Sequence, residues 1–256
     1  MKNLLDYQAG NSLVHRLNPV TKLVLAGSLV IIAFLLPDYR GPLLMTLLLL
    51  GIAVSAGIFR QLIVAVGVVA TPLAIALLTI HGLFYPGNRT PLVSLGPATF
   101  WEEGLQYALL ILFRLLVLIT AILPVMLTTY PKKMTIALIE KGLSPKLAYV
   151  FMASLQFIPD MQRRAKAISE AQQARGLDIK ASLWKRFRAL IAMMVPLLTG
   201  ALIAAETRSL ALEARGFNRK GARTYLFDVP DPGVERVLRW AAVVVVLAAM
   251  VWKVAV

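Results

Sequence analysis

Cysteine is absent from the 256 residues, and histidine occurs only at His15 and His81. Disulfides and thiolate metal centres are therefore excluded. Neither histidine has a second metal ligand nearby at helical spacing, and no Ser/His/Asp arrangement can be proposed from two such isolated side chains. Acid is also scarce: 13 Asp and Glu stand against 27 Lys and Arg, for a formal net charge of +14. Acidic residues are missing altogether from the long apolar runs, which leaves no paired carboxylates for a proton or sodium path. No Gly-x-x-x-x-Gly-Lys-Ser/Thr run is present, so there is no nucleotide site of the Walker type. These absences describe a chain that neither catalyses nor drives transport by itself, and that holds no cofactor or metal of its own.

What the chain does have is apolar length. Hydrophobic residues make up 59% of it, with a mean hydropathy of +0.74, against about half apolar in soluble domains. Concentrated positive charge on such a chain points to an integral membrane protein with a basic cytoplasmic face. Nucleic-acid binding, the usual rival for a basic chain, does not require several long uncharged runs. The first 18 residues are polar and lack a cleavable signal pattern, so the first apolar run is expected to be a retained helix.

Asn18-Pro19 is a good helix start, with asparagine as N-cap and proline in the first turn. Uncharged runs follow over 23–37, 43–59 and 61–84, each close to the roughly 20 residues that cross a bilayer. Lys22 is expected to snorkel to the interface. Residues 85–103 read as an outer loop, with Arg89 against Glu102 and Glu103. A fourth span over 104–130 carries a single charge, Arg114, whose role is open between a tie to a carbonyl or headgroup and a part in transport. Residues 237–256 form the last span, with Trp240 and Trp252 as interfacial anchors.

Between 131 and 188 the composition changes to twelve Lys or Arg against Glu140, Asp160, Glu170 and Asp178. With Lys2, Arg16 and Lys22 at the start, this charge places the N-terminus and the basic region both in the cytoplasm. A short amphipathic helix over 134–141 precedes two long helical patterns, over about 144–175 and 182–215. Their ends repeat. Residues 165–176 lie over 205–216 without a gap, sharing Ser169 with Ser209 and closing on Ala174-Arg175-Gly176 and Ala214-Arg215-Gly216. A glycine past a helix can take the left-handed conformation that ends it, and a last-turn arginine complements the dipole. Each copy thus presents a guanidinium at a helix tip. Residues 189–205 could just cross a thin bilayer. A helix at the inner face is preferred, because crossing would put the second tip opposite the first and the Arg219 to Arg223 cluster outside. The expected fold is all-α, with about five transmembrane helices and a cytoplasmic-side pair of long helices. Composition divides it into a membrane domain over 1–130, a coupling domain over 131–217, and a connector with the last span over 218–256.

The chain resembles the transmembrane T component of energy-coupling factor transporters, within the ATP-binding cassette superfamily. The resemblance rests on residues 13–22 (LVHRLNPVTK), Leu127-Thr128-Thr129 with Pro131, Leu155-Gln156-Phe157-Ile158-Pro159, and both Ala-Arg-Gly tripeptides. It implies a multi-pass protein of a prokaryotic plasma membrane, serving vitamin or metal-ion uptake. Its implied partners are two cytosolic ATPase subunits, which would hold the ATP and magnesium, a substrate-binding S component, and membrane lipid, with no nucleic acid. Ala174, Arg175, Gly176, Ala214, Arg215 and Gly216 would dock into the ATPases. Rival readings are a pore-forming permease subunit, a scaffold, and a membrane enzyme using Arg114, His15 and Glu206. The permease would need only one coupling loop.

Overall fold

A computed structural model describes residues 8, 10, 12–87, 89–95, 98–177, 183–219, 221 and 229–255. Helices dominate: α1 (Leu13–Arg16), α2 (Pro19–Leu35), α3 (Arg40–Ser55), α4 (Phe59–Phe84), α5 (Glu102–Thr128), α6 (Pro131–Glu140), α7 (Pro145–Ala174), α8 (Leu183–Ala214) and α9 (Gly233–Ala255). One hairpin, β1 (Pro91–Leu95) with β2 (Ala98–Trp101), interrupts them. The chain forms two compact units, Met1–Lys141 with Phe227–Val256, and Gly142–Leu226. The short helix α6 packs against α2 in the first unit.

In the first unit α5 is the axis. It packs against α2, α3 and α4, and 44% of its most apolar stretch is buried, against 6% for α4. Ala26, Ala33 and Leu49 meet Val117, Ala121 and Val125 in one cluster, and Ala53, Ala56, Ile58, Leu62 and Val66 meet Leu127 in another. Alanines at these contacts let helices approach closely, which is how helices associate where lipid removes the hydrophobic incentive. Thr46, Thr120 and Thr128 donate their hydroxyls to carbonyls one turn back, at Pro42, Leu116 and Pro124. Such internal satisfaction is what an apolar surrounding demands.

Among the described residues four helices are long and apolar enough to cross a membrane: Phe59–Phe84, Glu102–Thr128, Ala189–Ala214 and Gly233–Val254. Helices α2 and α3 are apolar but shorter. Arg114 makes the tie to carbonyls that was one of its two expected roles. Its Nε donates to Ala33 O at 3.2 Å and its Nη2 to Leu36 O at 2.7 Å. These are among the last carbonyls of α2, left without partners in their own helix. Arg114 is thus a C-terminal clamp on α2.

Two sequence expectations are corrected. The segment read as a loop over 85–103 contains the hairpin, whose strands are too short to show a clear alternation in sequence. Glu103 accepts there from the backbone N–H groups of Arg89 and Thr90 and from the Thr90 hydroxyl. Lys22 does not snorkel outward. It is 6% exposed, and its Nζ donates to Thr128 O at 3.0 Å, Thr128 Oγ1 at 3.2 Å and Thr129 Oγ1 at 3.3 Å. The last carbonyl of α5 has no partner within its own helix and accepts from it.

Around Lys22 the start of α2 is knotted to the segment before α9. Asn18 accepts from Val20 N as N-cap, donates its own N–H to Glu235 Oε2 at 2.9 Å, and donates Nδ2 to Pro230 O at 3.2 Å. Arg239 donates to Thr21 Oγ1 at 2.9 Å and pairs with Asp231, which also pairs with Lys141. The Arg239 and Lys141 side chains bonded to Asp231 hold its carboxyl well below the usual carboxylate range.

Candidate functional site

The second unit is built from α7 and α8. Ser144 caps α7, its Oγ accepting from Leu147 N at 3.2 Å, with Pro145 in the first turn. Both helices keep an interior proline, Pro159 and Pro196. Their ends close with the same pair of backbone bonds. At the end of α7, Leu177 N donates to Gln172 O at 3.0 Å and Gly176 N to Gln173 O at 3.0 Å. At the end of α8, Phe217 N donates to Leu212 O at 3.0 Å and Gly216 N to Glu213 O at 2.9 Å. Each pair is a Schellman motif, with Arg175 or Arg215 at the C-cap and glycine at the next position. Gly176 has φ +87° and Gly216 φ +70°, the left-handed region that a side chain resists.

Exposure repeats as well. Ala174, Arg175 and Gly176 are exposed, as are Ala214, Arg215 and Gly216, whereas Leu177 and Phe217 just beyond are half-buried. Among the described residues neither arginine has an ion pair. An added Cβ at either glycine would meet nothing within 4 Å. Each tip is therefore a bare guanidinium on a rigid cap, flanked by small residues that let another surface approach.

The two tips are not brought together. Contacts between the helices run in opposite senses: Arg164 Nη1 donates to Gly200 O at 3.1 Å, Asp160 pairs with Arg208 at 3.9 Å, and the Tyr149 and Phe217 rings are 5.3 Å apart. Residue numbers rise on one helix as they fall on the other, so α7 and α8 are antiparallel. Phe217, beside the second tip, lies against Tyr149, 25 residues before Ala174 on α7. At 1.5 Å per residue the tips stand roughly 37 Å apart along the axis of α7.

Asp160 is the hub of the pair. It meets Arg164 at 3.2 Å, Arg163 at 3.7 Å and Arg208 at 3.9 Å, and the Arg208 guanidinium lies 5.5 Å from the centre of the Phe157 ring. Sequence reading assigned no role to Asp160, Arg164, Arg208 or Gly200. The signal available was an acid set in a basic helix, at the position that the 40-residue repeat aligns with Gly200. Large apolar side chains remain exposed on both helices, including Val150, Phe151 and Ile158 on α7 and Met194, Leu198 and Leu202 on α8.

The enzyme reading loses its geometry. Arg114 is committed to the C-terminal end of α2, whereas His15 precedes its N-terminal end with Nδ1 2.8 Å from Ser12 Oγ and Nε2 3.1 Å from Gln8 O. Seventeen residues of α2 separate those ends, about 25 Å.

Comparison with known proteins places this architecture. Residues 10–226 match the family described as CbiQ, cobalt transport protein. The energy-coupling factor transporter transmembrane protein EcfT of Bacillus selenitireducens is 32% identical over 233 residues, covering 86% of this chain and 85% of the relative. The EcfT of Heliobacterium modesticaldum is 32% identical over 261 residues, covering 97% and 96%. A Bifidobacterium longum protein named as an ABC transporter ATP-binding protein is 30% identical over 257 residues, which cover 94% of this chain and 32% of that longer one. The match over most of the chain is decisive, and the chain belongs to the CbiQ/EcfT family of energy-coupling factor transporter transmembrane proteins.

Proposed function

We propose that this chain is the coupling subunit of an energy-coupling factor uptake transporter for a vitamin or a metal ion. It transmits ATPase movement through Arg175 and Arg215 to a substrate-binding membrane subunit. The observation that carries this reading is the pair of matched Schellman tips, exposed and roughly 37 Å apart. One groove on one protein does not span that distance, so two tips fit two ATPase subunits. The Bifidobacterium longum relative, which is named as an ATP-binding protein and contains a region similar to most of this chain, supports ATPases as the partners. An ordinary permease, gripping one ATPase by one loop, leaves the second tip without a use.

Each guanidinium offers five donors in a planar fork suited to a carboxylate, which lysine cannot reproduce. The Asp160 cluster acts as the pivot of an antiparallel pair. Closure of the ATPases would move the tips, and the levers would turn about Asp160 and swing the exposed apolar halves, on which the substrate-binding subunit rides. ATP and magnesium belong to the partners, and this chain holds neither.

The test is recovery of the complex from detergent. Arg175→Ala with Arg215→Ala is expected to lower ATPase recovery more than about tenfold, since buried charged contacts at interfaces are worth over ~2 kcal/mol each. The membrane level of the chain should stay unchanged. Normal recovery of the ATPases would end this reading.

A further inference from the structure

A cavity of about 530 Å³ opens where α2 and α6 begin and α5 ends. Its wall includes Arg16, Lys22, Lys133, Thr129 and Asn18, and no Asp or Glu among the described residues. Among the described residues Arg16 and Lys133 have no acidic partner, and both are exposed. Lys22 spends its three hydrogens on Thr128 and Thr129, but its charge stays unneutralised by any carboxylate at contact distance. Glu235 is engaged by Asn18 N and is not among the described residues that line the cavity. Three cations on one concave surface repel one another unless an anion sits among them. Two helices also start on this wall, at Asn18-Pro19 and at Tyr130-Pro131, so their positive dipole ends add to the same field.

The depth of the cavity identifies the anion. The apolar helices α2 and α5 both terminate at it, so it lies at the level where the hydrocarbon stops and headgroup phosphates lie. We propose that this cavity binds the phosphate of an anionic phospholipid from the leaflet in which α2 begins. The phosphate sits between Arg16 and Lys133, and the acyl chains run down the outside of the bundle. The lipid thereby ties α1 and α6 to the membrane, independently of any role of the Ala-Arg-Gly tips.

The full-length chain in mild detergent tests this by native mass spectrometry with phosphatidylglycerol, phosphatidylcholine or inorganic phosphate as the probe. Phosphatidylglycerol adducts should persist and phosphatidylcholine adducts should not. Arg16→Gln with Lys133→Gln should lower phosphatidylglycerol affinity about thirtyfold, from two surface cations removed. Arg60→Gln with Arg236→Gln, which removes two exposed cations off the cavity wall, should change it less than about threefold. Equal losses in both double variants, or no loss in the first, overturn the proposal. Retention of inorganic phosphate without phosphatidylglycerol overturns the lipid source. A second readout needs no variant: the thermal midpoint of the wild-type chain should rise with phosphatidylglycerol and not with phosphatidylcholine, and equal shifts with both would overturn the site.

Discussion

Arg175 and Arg215 owe their position to the residue that follows each of them. With φ +87° at Gly176 and +70° at Gly216, both glycines occupy a backbone region that costs a side chain about 1–2 kcal/mol. Because a Cβ would find open space there, Gly176→Ala and Gly216→Ala strain the turn without a clash. Each should destabilise its cap by about 1 kcal/mol. ATPase recovery should fall several-fold while the membrane level is preserved, as read by co-purification. Asp231 makes a separate prediction about pH. Its folded carboxyl titrates well below its unfolded value of 3.8, because Arg239 and Lys141 bond the charged form. A depressed acid stabilises the fold fully above its unfolded value, and that contribution disappears as pH falls toward its folded one. Thermal stability in detergent should therefore be insensitive to Asp231 from neutral pH to about 5 and decline below about 4. Asp231→Asn should be less stable at neutral pH and lose less on acidification.

The antiparallel pair α7 and α8 has a local reason for each end and a distant reason for its crossing. Ser144, Pro145 and the glycine caps lie within a few residues of the termini that they define, so both ends of α7 and the C-terminal end of α8 were legible to within one residue. The crossing depends on Arg164 reaching Gly200 O across 36 residues, and on Asp160 meeting Arg208. If this junction is the pivot, loosening it should separate binding from transport. Arg164→Ala is expected to leave ATPase recovery within about twofold, since a partly exposed ion pair is worth under ~1 kcal/mol. Substrate uptake in reconstituted vesicles should nonetheless drop several-fold. Equal loss of both would make Arg164 a general support of the fold.

For the molecule as a whole, the open matter is how α8 lies. Residues Ala189–Ala214 are long and apolar enough to span. Yet the charged Asp160, Arg164 and Arg208 cluster packs against this stretch at Gly200, and ionisable groups are costly in hydrocarbon. An α8 lying along the inner face keeps that cluster wet and both tips on one side. A reporter fused after Gly216 should accordingly be cytosolic, and one fused in 85–90 external. Labelling of the Gly216 fusion from outside would overturn this arrangement.

Helix starts, helix stops, the apolar spans and the two matched tips were written in the sequence, because capping, glycine geometry and hydrophobic runs act over a handful of neighbouring residues. Tertiary structure alone decided where Lys22 and Arg114 point, that a hairpin closes residues 91–101, and that the two tips face apart. Lys22 finds its acceptors 106 residues away and Arg114 finds Leu36 O 78 residues away. A side chain whose partner is that remote has no local signature, since its choice is made by whichever unpaired carbonyl the packed helices bring within reach.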